Sequence, residues 1–231
     1  MVKKKINKID SWSIDSVTDG LQTLKKMHPS DMVLRSFLSN NYFSINKSFF
    51  ASDRILDIGC LYANNLVPFA EFGSNLYGVE INQQMVKLAQ QSALNLGIEI
   101  EVKQGMNRSL PYPNKYFDLV LSMNTIHYEE NRDALLDALK EIKRVGNDGC
   151  HYFFVTAGQN HCFHQTAIRL DVNQYQLNVK DFRNGQIMSY FDNKEHFETT
   201  LSLSFDKVEV ATITENWPKN TYEFYVAKCI K

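Results

Sequence analysis

The segment Arg54-Ile-Leu-Asp-Ile-Gly-Cys60 constrains this chain more than any other. A short apolar run carries Asp57, reaches Gly59 and gives way to a tight loop that opens a helical pattern at Asn64. A second apolar run, Leu76–Glu80, ends in an acid about 20 residues beyond the glycine. Strand, glycine turn, helix and an acid at the tip of the next strand make a nucleotide-binding βαβ unit. The glycine lets the backbone approach a ligand closely, and a carboxylate at Glu80 can accept both ribose hydroxyl protons. Continuous apolar strands of this kind belong to a parallel sheet covered on both faces.

The alternation continues along the chain. Ser30 caps a helix through about Leu38, with Val33/Phe37 and Leu34/Leu38 as neighbours one turn apart. Asn64–Phe72 reads as a helix closed by Gly73, and Asn82 caps another that Gly97 ends. Ile98–Lys103 alternates like a strand, Asp118–Ser122 is a fourth strand, and Arg132–Val145 is strongly periodic. Asn147-Asp148-Gly149 turns into a fifth strand, Tyr152–Thr156. The pattern predicts a doubly wound, Rossmann-like α/β sheet with helices on both faces and right-handed crossovers. Residues 157–191 break it and read as an irregular or partly helical insertion. Asp192-x-x-Glu195 reads as a capping box opening a helix to about Leu201. Phe205–Thr214 and Tyr222–Ile230 then form an antiparallel hairpin, completing seven strands.

A chain of 231 residues fits one domain with a small appendage. A net charge of −1 gives no electrostatic footprint for nucleic acid, and Lys3-Lys4-Lys5 reads as a solvated tail. No apolar run approaches the roughly 20 residues of a membrane span, and no secretory leader is readable. Four cysteines without a C-x-x-C pair suit a reducing compartment, so a cytoplasmic protein is expected.

The nucleoside is indicated by what the loop lacks. A dinucleotide site wants G-x-G-x-x-G for its pyrophosphate, and this loop supplies only Gly59, with Leu61, Ala63 and Asn64 in place of small residues. Leu56-Asp57-Ile58-Gly59-Cys60 resembles the first motif of class I S-adenosylmethionine-dependent methyltransferases, and Tyr77-Gly78-Val79-Glu80-Ile81-Asn82 resembles their second-strand motif. Gln104-Gly105, Leu110-Pro111-Tyr112, Phe117-Asp-Leu-Val-Leu-Ser122 and Asn124-Thr-Ile-His-Tyr128 follow in that family's order. The resemblance covers roughly residues 52–156. It implies residues 51–231 as the methyltransferase domain, with the insertion at 157–191, and residues 1–50 as an N-terminal helical segment that is a candidate substrate lid.

The resemblance implies S-adenosylmethionine as cofactor and S-adenosylhomocysteine as product. Asp57, Gly59, Cys60 and Leu61 would hold the methionine end, and Glu80 with Ile81 the ribose. Met106 and Asn107 would line the adenine, and Ser122 with Met123 would border the cofactor. Two departures stand out. The family has glycine where Leu61 and Ala63 stand; a left-handed Leu61 would carry about 1–3 kcal/mol of strain, so another loop path and a narrower pocket are expected. Met106 replaces an aspartate that would accept from the adenine amine, leaving packing to Met106 and the polar contact to Asn107.

His127 has the intrinsic pKa of a general base, set against a capping or core role. Asn124, Tyr128, His161 and His164 follow the fourth and fifth strands and are candidate walls of the acceptor pocket. His161 and His164 lack the further ligands a metal centre needs, so no metal is expected. The implied activity is methyl transfer to oxygen or nitrogen of a small molecule by in-line displacement. The alternative is a cofactor-binding but catalytically inactive methyltransferase-like subunit.

Overall fold

A computed structural model of the chain describes residues 12–18 and 27–231; the Lys3–Lys5 tail and much of the N-terminal segment lie outside them. The elements run α1 (Ile14–Thr18), α2 (Asp31–Leu38), β1 (Arg54–Ile58), α3 (Val67–Ala70), β2 (Asn75–Glu80), α4 (Gln83–Leu96) and β3 (Glu101–Gln104). There follow β4 (Phe117–Met123), α5 (Arg132–Val145), β5 (Gly146–Ala157), α6 (Phe163–Thr166), β6 (Ile168–Asp171), β7 (Gln174–Gln176) and β8 (Ile187–Ser189). The chain ends with α7 (Lys194–Ser202), β9 (Lys207–Asn216) and β10 (Thr221–Ile230).

Seven strands form one sheet in the order β3-β2-β1-β4-β5-β10-β9. The first five pair in parallel, and β10 runs antiparallel to both β5 and β9. Alternate residues of each central strand feed opposite faces. Leu56, Val120 and Phe154 meet Leu139 and Ile142 of α5 and Phe197 of α7 on one side. Ile55, Leu121 and Val155 meet Val33 and Phe37 of α2 and Phe69 of α3 on the other. Side-chain caps start the helices: Ser30, Asn82 and Asn131 each accept from the first turn.

Three expectations need correction. Residues 157–191, expected to be irregular or partly helical, do carry the short helix α6, but they also hold a second, antiparallel sheet in the order β6-β7-β8 that was not expected. Its strands of three and four residues are too short to show periodicity, and its pairing is fixed by contacts to the 129–130 loop: Gln174 donates to the Glu130 carbonyl and Ser189 Oγ to the Glu129 carbonyl at 2.8 Å. The cap of α7 is Asn193, whose Oδ1 accepts from His196 N at 2.8 Å. The Asp192 carboxylate instead pairs with the His196 ring at 3.3 Å, one residue too early to cap. Finally, Asn147–Gly149 lies inside β5, whose register against β4 shifts between Phe117 and Leu119, so it is an irregularity within the strand rather than a lead-in turn.

Candidate functional site

The carboxyl ends of β1, β2, β4 and β5 lie side by side, and the order reverses between β1 and β4, where open α/β sheets bind ligands. The first piece is the loop after β1. Gly59 has φ 71° and donates to the Val79 carbonyl at 2.8 Å. A side chain there would collide with Cγ2 of Thr125, so glycine is required by close packing as well as by conformation. Leu61 (φ 46°) and Ala63 (φ 55°) are also left-handed. The expected alternative path is therefore corrected: the loop keeps a glycine-like path without the glycines. Tertiary contacts hold it there. Leu61 N donates to Glu80 Oε1 at 2.6 Å, and Ala63 N to the Cys60 carbonyl at 2.7 Å.

Two carboxylates define the electrostatics. Glu80 at the end of β2 is buried, and burial raises its pKa to about 7 against the lowering pull of the Leu61 and Ile81 N–H groups. Asp57 is fully buried on β1, and neither carboxylate oxygen has a hydrogen-bond partner. Burial, and then the neighbouring charge of Glu80, push its pKa well up. An unpartnered buried carboxylate is costly unless a ligand or water satisfies it. The same burial, with both acids, keeps the Cys60 thiol protonated.

The loops after β3 and β4 are tied together. Asn107 is buried, and its Nδ2 donates to the Thr125 carbonyl at 3.1 Å and to Glu129 Oε1 at 2.9 Å. Its amide nitrogen is thus turned inward, leaving the exposed Met106 as the apolar face at that edge. Arg108 pairs with the other Glu129 oxygen at 3.0 Å. Ser122 Oγ and Thr125 Oγ1 lie 2.7 Å apart, Met123 is half-buried, and Asn124 is left-handed at φ 56° with its N–H on the Val155 carbonyl. Thr125 and Glu129 are residues the sequence reading did not select. Thr125 stood inside a motif it did use, whereas Glu129 carried no signal short of its burial.

His127 is buried with Nδ1 3.1 Å from Thr156 Oγ1, and its ring meets Tyr128 edge-on. His161 accepts from the Phe163 N–H through Nδ1, which leaves the proton of the neutral ring on Nε2. His164 lies between the rings of Tyr175 and Tyr190, and neither of its nitrogens has a partner. Burial lowers both His161 and His164 to about 4, so both are neutral near pH 7. Tyr128 and Phe163 pack on Ala157, Leu177 and Met188, joining the end of β5 to the small sheet. Cofactor-side and acceptor-side candidates therefore occupy one rim of the sheet. No three His, Cys, Asp or Glu side chains cluster as a metal site among the described residues.

Sheet order, a left-handed glycine turn after β1 and an acid ending β2 make a Rossmann-like nucleotide-binding arrangement, and residues 56–154 match the family model described as a methyltransferase domain. Among known proteins, the chain is 29% identical over 98 residues to the uncharacterized methyltransferase YcgJ of Bacillus subtilis, covering 42% of this chain and 39% of that one. It is 26% identical over 93 residues to the ubiquinone biosynthesis O-methyltransferase of Chelativorans sp., covering 40% and 37% respectively. The chain thus spans about two fifths of these relatives. A SAM-dependent methyltransferase structure from Methanosarcina mazei shares the fold at a TM-score of 0.64 and 19% identity, over 88% of this chain and 98% of that one.

Proposed function

We propose that this protein binds S-adenosylmethionine and transfers its methyl group to oxygen or nitrogen of a small molecule by in-line displacement. The observation that carries the reading is the fully buried, unpartnered Asp57 beside Glu80, flanking a loop held in the left-handed path. The residues present fit the cofactor: Glu80 would take the ribose hydroxyls, and Asp57 the ammonium through water. Gly59, Cys60, Leu61 and Ile81 would supply backbone, Met106 would pack on the base, and Ser122 and Met123 would border the site. The cofactor, when bound, supplies an activated methyl group on a sulfonium. The protein's share is orientation, which can contribute about 7–11 kcal/mol, and exclusion of water. His127 is proposed to take the acceptor's proton, with Asn124, Tyr128, His161 and His164 lining the acceptor side. No helix among the described residues is long and apolar enough to cross a membrane, and a cytoplasmic location is proposed with the reading.

The second reading, a cofactor-binding but inactive subunit, is favoured by the inward commitment of the Asn107 amide and by the bulk at Leu61 and Ala63. Calorimetric titration with S-adenosylmethionine and S-adenosylhomocysteine, with Glu80→Gln as control, tests the cofactor. Micromolar binding lost in the variant supports it; no binding at millimolar ligand refutes it. Single-turnover assays across hydroxyl and amine acceptors then separate the two readings.

A further inference from the structure

We propose that Trp12, from the N-terminal segment, belongs to the ligand site as a cover over the bound cofactor; the inference rests on the cofactor reading above. The Trp12 carbonyl accepts from Asn82 Nδ2 at 2.8 Å. Asn82 stands two residues beyond Glu80, and its Oδ1 is fixed by the Met85 N–H at 3.0 Å, so it is a rigid anchor. The Trp12 indole meets Phe182 edge-on at 4.8 Å and Tyr128 at 5.8 Å. Those two rings come from the 157–191 insertion and from the loop after β4. Strand order β2-β1-β4 places the end of β1, with its Gly59–Ala63 loop, between the Asn82 anchor and Tyr128. Trp12 therefore bridges the mouth of the proposed cofactor site.

The opposite side of the bridge is also held. Arg183, next to Phe182, pairs with Asp181 and lies over the Phe163 ring at 4.5 Å. Its guanidinium thus ties the Phe182 end of the insertion to its start at α6. An indole is the best aromatic partner for a cation, and the cofactor carries a sulfonium. Three segments far apart in sequence meet through rings at one rim.

The chain has two tryptophans, and the other, Trp217, is exposed beyond β9. In full-length Trp217→Phe protein, emission therefore reports Trp12 alone. Titration with S-adenosylmethionine should change that emission, and Trp12→Ala should weaken binding by about fivefold or more in calorimetry, a size expected of a desolvated cation–ring contact. Trp12→Phe, which keeps a ring, should recover part of the affinity, and equal melting temperatures would show that folding is intact. If calorimetry shows binding but emission stays constant, or Trp12→Ala binds within twofold of its parent, the cover is refuted while the cofactor reading survives. Absence of any binding heat in the unmodified protein refutes the cofactor reading itself, and this proposal with it.

Discussion

The left-handed path of Leu61 can be tested without any ligand. Leu61 sits at φ 46°, where a residue with a Cβ pays roughly 1–2 kcal/mol relative to glycine. Glycine in turn gives back about 0.4–1 kcal/mol through its freer unfolded chain. Comparing Leu61→Gly with Leu61→Ala cancels most of the packing lost with the leucine side chain. Both variants keep the N–H that donates to Glu80. The net should favour glycine by about 0.5–1 kcal/mol, or about 1–4 °C in melting temperature for a chain of this size. The control is Leu94, 72% exposed within α4, where glycine should be worse than alanine by about 1 kcal/mol. Thermal unfolding followed by circular dichroism reads all four variants. If Leu61→Gly melts below Leu61→Ala, as in the helix control, the loop is not left-handed at Leu61 and the inferred site geometry falls with it.

Cofactor binding should depend on pH. Ribose hydroxyls need an ionised Glu80, whose pKa is about 7, so affinity should fall up to about tenfold per unit below that pH and level off above it; a flat calorimetric profile between about pH 5 and about pH 8 would contradict this. Because the folded pKa of Glu80 lies above the ordinary value of 4.5, the native state holds the proton longer, and stability should fall as pH rises from about 4.5 through about 7. Glu80→Gln should lack that fall in urea midpoints. Asn107→Ala removes two hydrogen bonds and leaves Glu129 short of a donor, so a loss of about 1–3 kcal/mol is expected in urea unfolding; a change under about 0.5 kcal/mol would refute the tie. Lys228 is buried on β10, donates to the Ser36 carbonyl at 2.8 Å, and is lowered by burial to about 8. The unfolded chain then binds the extra proton between about pH 8 and about pH 10.5, so stability should rise with pH across that window, and Lys228→Met should abolish the rise.

Features set by local chemistry were legible in the sequence. The Asn82 cap, the left-handed Gly97 and the periodic α5 follow from side chains within one or two turns. The doubly wound class followed from the alternation of strands and helices, because β1 and β4 are apolar enough to be covered on both faces. The small sheet was not legible. Ile168 and Leu170 are exposed on β6, so no buried face imposes an alternation. The direction of Asn107 was equally hidden, since its partners Thr125 and Glu129 come from the next loop.

Leu61 shows why the site was hardest to read. Its intrinsic preference opposes the left-handed region, and a prediction from that preference alone redirects the loop. The preference loses because Gly59 must pass against the Thr125 methyl, and because the Leu61 N–H has a buried carboxylate to meet. The hydrogen bond itself contributes about 0.5–1.5 kcal/mol, and leaving the buried partner without it would cost about 1–3 kcal/mol, enough to offset a left-handed backbone. Under the proposed function Glu80 would have two tasks, and they are compatible. Each carboxylate oxygen has two lone-pair sites, so Oε1 can keep the Leu61 N–H while ribose hydroxyls occupy what remains. With leucine and alanine in these left-handed positions, Glu80 takes up part of the work of shaping the loop. It follows that Glu80→Ala should disturb the fold of residues 59–63 as well as ligand affinity, whereas Glu80→Gln, with an oxygen still able to accept from Leu61, should preserve the loop and lose chiefly the ligand.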